Sequence, residues 1–187
     1  MTIAVLAVQG AFAEHEIMLR KLGADYIELR KKEDLDASFD GIILPGGEST
    51  VQGKLLRELD MYDTLKQHIR NGMPVLGTCA GAILLADKIE NDTTCHFGTM
   101  PMCIRRNAYG RQLGSFFTTS SMKNIGDIPM TFIRAPYIKE VYDGTQVMAS
   151  VNGNIVGAKY QNQLALSFHP ELDNDTRVHE YFLKMCS

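Results

Sequence analysis

The first half of the chain alternates short apolar runs with amphipathic stretches, and that alternation decides what kind of sheet it can build. Residues 2–8, TIAVLAV, are continuously apolar and β-branched, as expected of a strand covered on both faces. AFAEHEIMLRKLG follows, with Ile17, Leu19 and Leu22 set among charges and Gly23 at its end, and reads as a helix with a glycine stop. Residues 25–30 (DYIELR) and 40–47 (DGIILPGG) read as strands, the latter closing in a Pro-Gly-Gly turn. Helical patterns cover 49–58 and 61–71, the second closed by Gly72. PVLG (74–77) is the next strand and CAGAILLA the next helix. Elements at this spacing build a parallel sheet through right-handed crossovers.

The second half changes character. MTFIRAP, TQVMASV, NIVGAKY and LALSFHP are short strand-like runs between turn signals, and Asn152-Gly153 between two of them predicts a type I′ hairpin. DNDTRVHEYFLKMCS predicts a closing helix capped by Asp173 or Asn174. No linker or repeat interrupts the 187 residues, so one domain over 1–187 is expected, large enough to bury its own core.

Composition excludes several classes of function. Nineteen Lys and Arg face 22 Asp and Glu with no basic face evident, which argues against nucleic acid. No apolar run approaches the length that crosses a membrane. The N-terminus offers Ala11-Phe12-Ala13 as a signal-peptide-like cleavage site. It lacks a basic n-region, and Gln9-Gly10 interrupts the apolar segment, so a buried first strand is expected instead. Cys79, Cys95, Cys103 and Cys186 form no C-x-x-C pair and no metal-ligand spacing, the usage of free thiols in a reducing cytoplasm with no metal centre.

One of those cysteines sits in GTCAG (77–81), where a strand becomes a helix. A tight turn there pushes the Cys79 side chain out at the carboxyl end of the sheet, and small neighbours keep other Cβ atoms out of the way. The helix start favours a thiolate. Alone, the pattern is equally that of a buried small residue. The partner is LALSFHPE, a strand stopping at His169, where alternation would bring His169 and Glu171 to one side. A carboxylate on one imidazole nitrogen leaves the other free to exchange a proton with sulfur. His15, His68 and His179 sit in helical patterns and are expected at the surface; they and His96 lack such context. The third feature is LPGGEST (44–50), whose glycines expose backbone N–H groups. Those of Gly46 and Gly47, with that of Ala80 beside the nucleophile, suit an oxyanion hole.

Together G-x-C-x-G, the glycine strand and H-P-E resemble the triad (class I) glutamine amidotransferases. LAVQGAFAEH (6–15), LPGGEST, GTCAG, RNAYGRQ (106–112), FIRAP (132–136) and SFHPE (167–171) are most similar to the branch that serves as glutaminase subunit of pyridoxal 5′-phosphate synthase. Tyr109 stands where that branch often has Phe. The resemblance implies an α/β, flavodoxin-like three-layer domain: a mixed, mostly parallel central sheet, helices on both faces and an antiparallel extension in the C-terminal half. It implies Cys79 as nucleophile, His169 as general base and acid, and Glu171 as the orienting carboxylate. Gly47, Glu48, Ser49, Arg106, Ile133 and Arg134 would hold L-glutamine, the Ile-Arg contacts partly through main chain. No cofactor is implied. The partner implied is a (β/α)₈-barrel synthase subunit in a twelve-plus-twelve assembly that takes up the ammonia. The isolated chain would then be a poor glutaminase, with a flippable Gly46-Gly47 peptide as the switch and Gln9 coupling it to docking. Competing expectations are a stand-alone cysteine hydrolase or peptidase on the same fold, and a non-catalytic scaffold subunit.

Overall fold

The computed structural model describes residues 1–108 and 114–187. Strand β1 (Thr2–Leu6) lies between β2 (Asp25–Leu29) and β3 (Gly41–Leu44), parallel to both. Next to β3 comes β4 (Val75–Thr78), then β12 (Gln163–Leu166), again parallel. The crossovers are α1 (Phe12–Lys21) between β1 and β2, and α2 (Ser49–Glu58) with α3 (Tyr62–Arg70) between β3 and β4. Helix α4 (Ala80–Leu85) follows β4, and α5 (Arg177–Met185) closes the chain.

Alternation along these strands feeds two cores. Ala4, Leu6, Ile42, Leu44 and Val75 point to the side covered by Leu56 of α2, Leu65 and Ile69 of α3 and Leu84 of α4. Ile3, Val5, Ile43 and Leu76 point to the other side, against Leu19 of α1 and Val178 and Phe182 of α5. Because both faces are covered, the strands read as unbroken apolar runs. The order β2-β1-β3-β4 reverses its direction of winding between β1 and β3. Beyond the carboxyl ends of those strands the chain diverges to opposite faces and leaves a crevice.

Past β12 the sheet turns antiparallel through β11 (Asn154–Tyr160), β10 (Gln146–Val151), β7 (Ser115–Met122) and β8 (Gly126–Ile133). A branch of β5 (Ala86–Ile89), β6 (Met100–Arg105) and β9 (Tyr137–Val141) joins it at β11. Asn152 (φ 51°) and Gly153 (φ 81°) both adopt the positive φ of the expected hairpin turn.

Several local expectations are corrected. Helix α1 buries His15, Glu16, Met18 and Leu19, whereas Ile17 is 46% exposed, because the sheet contacts a different face from the one its aliphatic residues suggest. Helix α5 begins at Arg177 rather than after Asp173. Asp175 Oδ1 accepts the Arg177 N–H (3.0 Å), while Asp173 Oδ1 accepts from the Thr131 hydroxyl (2.8 Å). Strand β12 ends at Leu166, before the histidine expected to terminate it. Tyr109, Gly110, Arg111 and Gln112 of the RNAYGRQ stretch lie outside the described residues.

Candidate active site

The site is assembled at the carboxyl ends of β1, β3, β4 and β12. Strand β4 delivers the chain to Cys79 at φ 48°, ψ −102°, a conformation that a residue with a Cβ rarely adopts. Two bonds hold it there: its N–H donates to the Leu166 carbonyl (2.7 Å) and its own carbonyl accepts from Ile83 N–H (3.3 Å). Helix α4 crosses so close that a Cβ on Gly81 would overlap the Leu44 carbonyl oxygen. The Cys79 sulfur is nearly buried, lies 4.0 Å from the Ile133 carbonyl oxygen, and faces a cavity of about 440 Å³.

His169 reaches the same cavity from the segment after β12. Its N–H donates to the Thr131 carbonyl of β8 (2.8 Å), and its side chain precedes a single 3₁₀ turn, Pro170–Leu172. That turn, not strand alternation, folds Glu171 back so that its Oε1 stands 2.6 Å from His169 Nδ1. Proline supplies the fixed φ that starts such a turn. Burial works to lower the His169 pKa, but its hydrogen bonds with Cys79 and Glu171 outweigh burial and raise it to about 10. Glu171 is wholly enclosed, and burial pushes its carboxyl up against the opposing pull of His169. An imidazole held between a thiol and a carboxylate can relay a proton to and from sulfur.

Every residue expected to hold the substrate lines the cavity: Gly47, Glu48, Ser49, Arg106, Ile133 and Arg134. They reach it for different reasons. Arg106 follows β6 in a turn tied to the FIRAP segment by Ala108 N–H on the Ala135 carbonyl (3.2 Å). Its Nη1 pairs with Asp92 Oδ2 (3.0 Å), while Nε and Nη2 are buried and, among the described residues, without a hydrogen-bond partner. Arg134 has a positive φ (43°), its N–H donates to the Gly114 carbonyl, and its side chain is 74% exposed, 3.7 Å from Glu48.

The glycine strand packs against β1's loop. Gln9 Oε1 accepts the Glu48 N–H (2.9 Å), and Gln52 Nε2 donates to the Gln9 carbonyl (3.0 Å). The Gly46 carbonyl accepts from Ala11 N–H (2.9 Å), which orients the Gly46-Gly47 peptide. Gly46 N–H donates to Thr78 Oγ1 (3.1 Å), so of the expected oxyanion donors this one is engaged by the strand beside it. A Cβ on Gly46 would overlap the His169 ring.

Two histidines expected at the surface are fully buried beneath this site. His15 Nε2 lies 3.2 Å from Thr78 Oγ1 and 3.5 Å from Glu171 Oε2, and His15 Nδ1 lies 2.9 Å from His179 Nε2. Reading each helix by itself misses them, because α1 and α5 bring together residues far apart in the chain. The one available signal is that His15 closes the LAVQGAFAEH stretch. His96 is also buried, in the connection between β5 and β6. Among the described residues no group of side chains is arranged to hold a metal ion, and no helix is long and apolar enough to cross a membrane.

Comparison with known proteins places this site in a lineage. A curated pyridoxal 5′-phosphate synthase subunit PdxT from Desulfitobacterium hafniense is 56% identical over 187 residues, covering all of this chain and 94% of the relative. A protein of the same name from Streptococcus pneumoniae is 52% identical, covering all of this chain and 98% of its own. The crystal structure of a glutamine amidotransferase superposes with a TM-score of 0.93 at 40% identity over 98% of both chains. The structure of PurLQS from Thermotoga maritima (TM-score 0.67, 17% identity, over all of this chain and 98% of that one) shares the fold. The SNO glutamine amidotransferase family model matches residues 5–187, a span that takes in Gln9, Cys79, His169 and Glu171 alike, and the chain belongs to that family.

Proposed function

We propose that this chain is the glutaminase subunit of a pyridoxal 5′-phosphate synthase, hydrolysing L-glutamine to L-glutamate and passing the ammonia to a synthase partner. The observation that carries the reading is the 2.6 Å contact between His169 and Glu171, on an imidazole that lines the same cavity as Cys79 and Arg106.

In this reading Arg106 takes the α-carboxylate of glutamine, and Glu48 and Ser49 with the Ile133–Arg134 main chain orient the rest. At neutral pH His169 carries its proton, since its pKa stands at about 10. Cys79 attacks the side-chain amide carbon as thiolate, forming the C–S bond and placing the carbonyl electron pair on oxygen. The Gly47 and Ala80 N–H groups hold that oxyanion. The tetrahedral intermediate collapses, the C–N bond breaks, and His169 gives its proton to the departing ammonia. Water enters, loses a proton to His169 and attacks the thioester; collapse releases glutamate and returns the thiolate beside imidazolium.

Ammonia released to neutral water becomes ammonium, which is not a nucleophile, so a dedicated acceptor gives the reaction its use. We take that acceptor to be a (β/α)₈-barrel synthase subunit in a cytoplasmic twelve-plus-twelve assembly. Docking would rotate the Gly46-Gly47 peptide, exchanging its bond to Ala11, with Gln9 as the lever through Glu48.

The deciding experiment compares Cys79→Ser with wild type in the complex. Glutamine-driven synthesis should vanish while synthesis from added ammonium salt continues. Loss of both would mark a scaffold role, and retention of both would remove Cys79 from the chemistry. The isolated chain should release glutamate at least ~10-fold more slowly than the complex. Equal rates would discard the docking switch.

A further inference from the structure

Behind Glu171, on the side away from the cavity, is a buried polar path that the reaction above does not use. It runs from His179 on α5 through His15 on α1 to Thr78 at the end of β4, and Thr78 in turn accepts the Gly46 N–H. Both imidazoles are fully buried. Burial, with repulsion from His179 and His169, holds His15 well below the ordinary imidazole range, and burial lowers His179 to about 4. Each ring is therefore neutral at neutral pH and carries a single N–H.

Geometry selects where those protons sit. Suppose His15 carried its proton on Nδ1 and donated to His179 Nε2. His179 would then be protonated on Nδ1, a buried atom with no partner. The bare His15 Nε2 would face Glu171 Oε2 lone pair to lone pair at 3.5 Å. The opposite arrangement removes both faults. His179 Nε2–H donates to His15 Nδ1, and His15 Nε2–H lies between Thr78 Oγ1 and Glu171 Oε2, an oxygen that otherwise has no hydrogen-bond partner among the described residues. Leaving a buried acceptor bare at His179 Nδ1 is a smaller fault than leaving a buried donor bare and setting two lone pairs face to face.

We propose that His15 is a positioning residue for the Cys79–His169–Glu171 set: as the neutral Nε2–H tautomer, held by His179, it turns its proton toward Glu171 Oε2 and keeps that carboxylate ionised and aimed at His169. Through Thr78 the same N–H touches the residue that fixes Gly46, so one imidazole ties the carboxylate to the oxyanion strand. His15 does not line the cavity and touches no substrate. The titratable and charged groups around this pair are His179 from α5, His169 from the segment after β12, and Glu14, which precedes His15 on α1 and repels Glu171. The proposal rests on the glutaminase reading for its kinetic test but not for its structural one.

The structural test is nitrogen-15 NMR of the histidine-labelled wild-type chain. His15 should show a protonated Nε2 and a bare Nδ1 at neutral pH, without titrating in the ordinary imidazole range. An Nδ1–H tautomer, or a His15 that titrates in that range, overturns the assignment. The kinetic test uses the complex with its synthase. His15→Leu should lower kcat for glutamine hydrolysis ~10–100-fold while leaving KM within about two-fold. Without its donor the Glu171 carboxyl rises further, so the acidic limb of the kcat profile should move to higher pH by about one unit. His15→Gln, whose amide places an N–H near the lost Nε2, should restore most of kcat and return the limb. A merely structural histidine would lower the melting temperature without moving the limb, and an unmoved limb in His15→Leu overturns the proposal. Should His15→Leu fail to fold, a His15→Gln limb unlike the wild-type one would do the same. A wild-type complex that releases no glutamate would defeat the glutaminase reading instead, and the tautomer measurement would still decide the role of His15.

Discussion

Backbone conformation at single residues sets much of the chemistry. Cys79 and Arg134 both take positive φ and both border the cavity. Strain of this kind persists only where surrounding bonds over-determine it, and at Cys79 those bonds come from β12 and α4. Two predictions belong at this scale. Arg106→Gln removes the guanidinium assigned to the α-carboxylate, and KM for glutamine should rise ~10-fold or more with a much smaller change in kcat, read from steady-state kinetics of the complex. Gly46→Ala places a methyl against the His169 ring, and it should cut kcat at least ~100-fold while circular dichroism stays that of wild type. An active Gly46→Ala enzyme would mean that His169 tolerates displacement and is not the proton carrier.

Among the elements, the crossing of α4 over β3 and β4 is the tightest constraint. Gly81→Ala sets its Cβ into the Leu44 carbonyl oxygen, which is backbone and has nowhere to move. The expected cost is ~1–3 kcal/mol in denaturant unfolding, with the Cys79 elbow distorted as well. The β10–β11 hairpin carries a milder test. Gly153→Val forces a β-branched side chain into φ 81°, and destabilisation of ~1–3 kcal/mol is expected, whereas Asn152→Gly should be close to neutral. Strands β1 and β3 were legible because burial on both faces makes their runs continuous, whereas β2 at the sheet edge is half-exposed and carries Asp25 and Glu28. Strands such as β7 (SFFTTSSM) alternate exposed and half-buried residues until Met122, and ADKI of β5 is too short and polar to announce itself. Each pairs mainly with the next strand along, β7 with β8 and β5 with β6, and β7 meets β10 only at Met122–Ala149.

For the whole molecule, buried imidazoles shape the response to pH. His179 and His96 are both lowered to about 4, chiefly by burial, and His15 is lowered well below its ordinary value for the same first reason. His179 and His96 bind a proton more readily unfolded than folded between about pH 6.5 and pH 4, so stability falls as pH drops through that window, and His15 acts with the same sign. For His179 alone the loss is of order 3 kcal/mol. His169 has the opposite sign: raised to about 10, its contribution is complete below about pH 6.5 and lost as pH climbs toward 10. Glu171, pushed up by burial, has the same sign as His169, but its loss begins as pH rises above the ordinary carboxylate range. Melting temperature should therefore peak near neutrality and fall steeply below about pH 6.5. His179→Gln, which keeps a donor but cannot titrate, should flatten the acid limb; an unchanged limb would show that His179 is not among its causes.

By itself the sequence determined the parallel half of the sheet, the cysteine on its elbow and the histidine and glutamate of H-P-E, because each depends on local pattern: apolar periodicity, glycine spacing, proline before a turn. Residues named for the glutamine pocket were legible only as members of matching stretches, and the tertiary structure decided that they line one cavity. It alone decided that Glu171 reaches His169 by a 3₁₀ turn and that Gly46 N–H is engaged by Thr78. It also decided that His15 and His179 meet beneath the carboxylate. That last contact joins two helices 164 residues apart, and a polar side chain on a helix carries no local mark of the sheet face that will bury it.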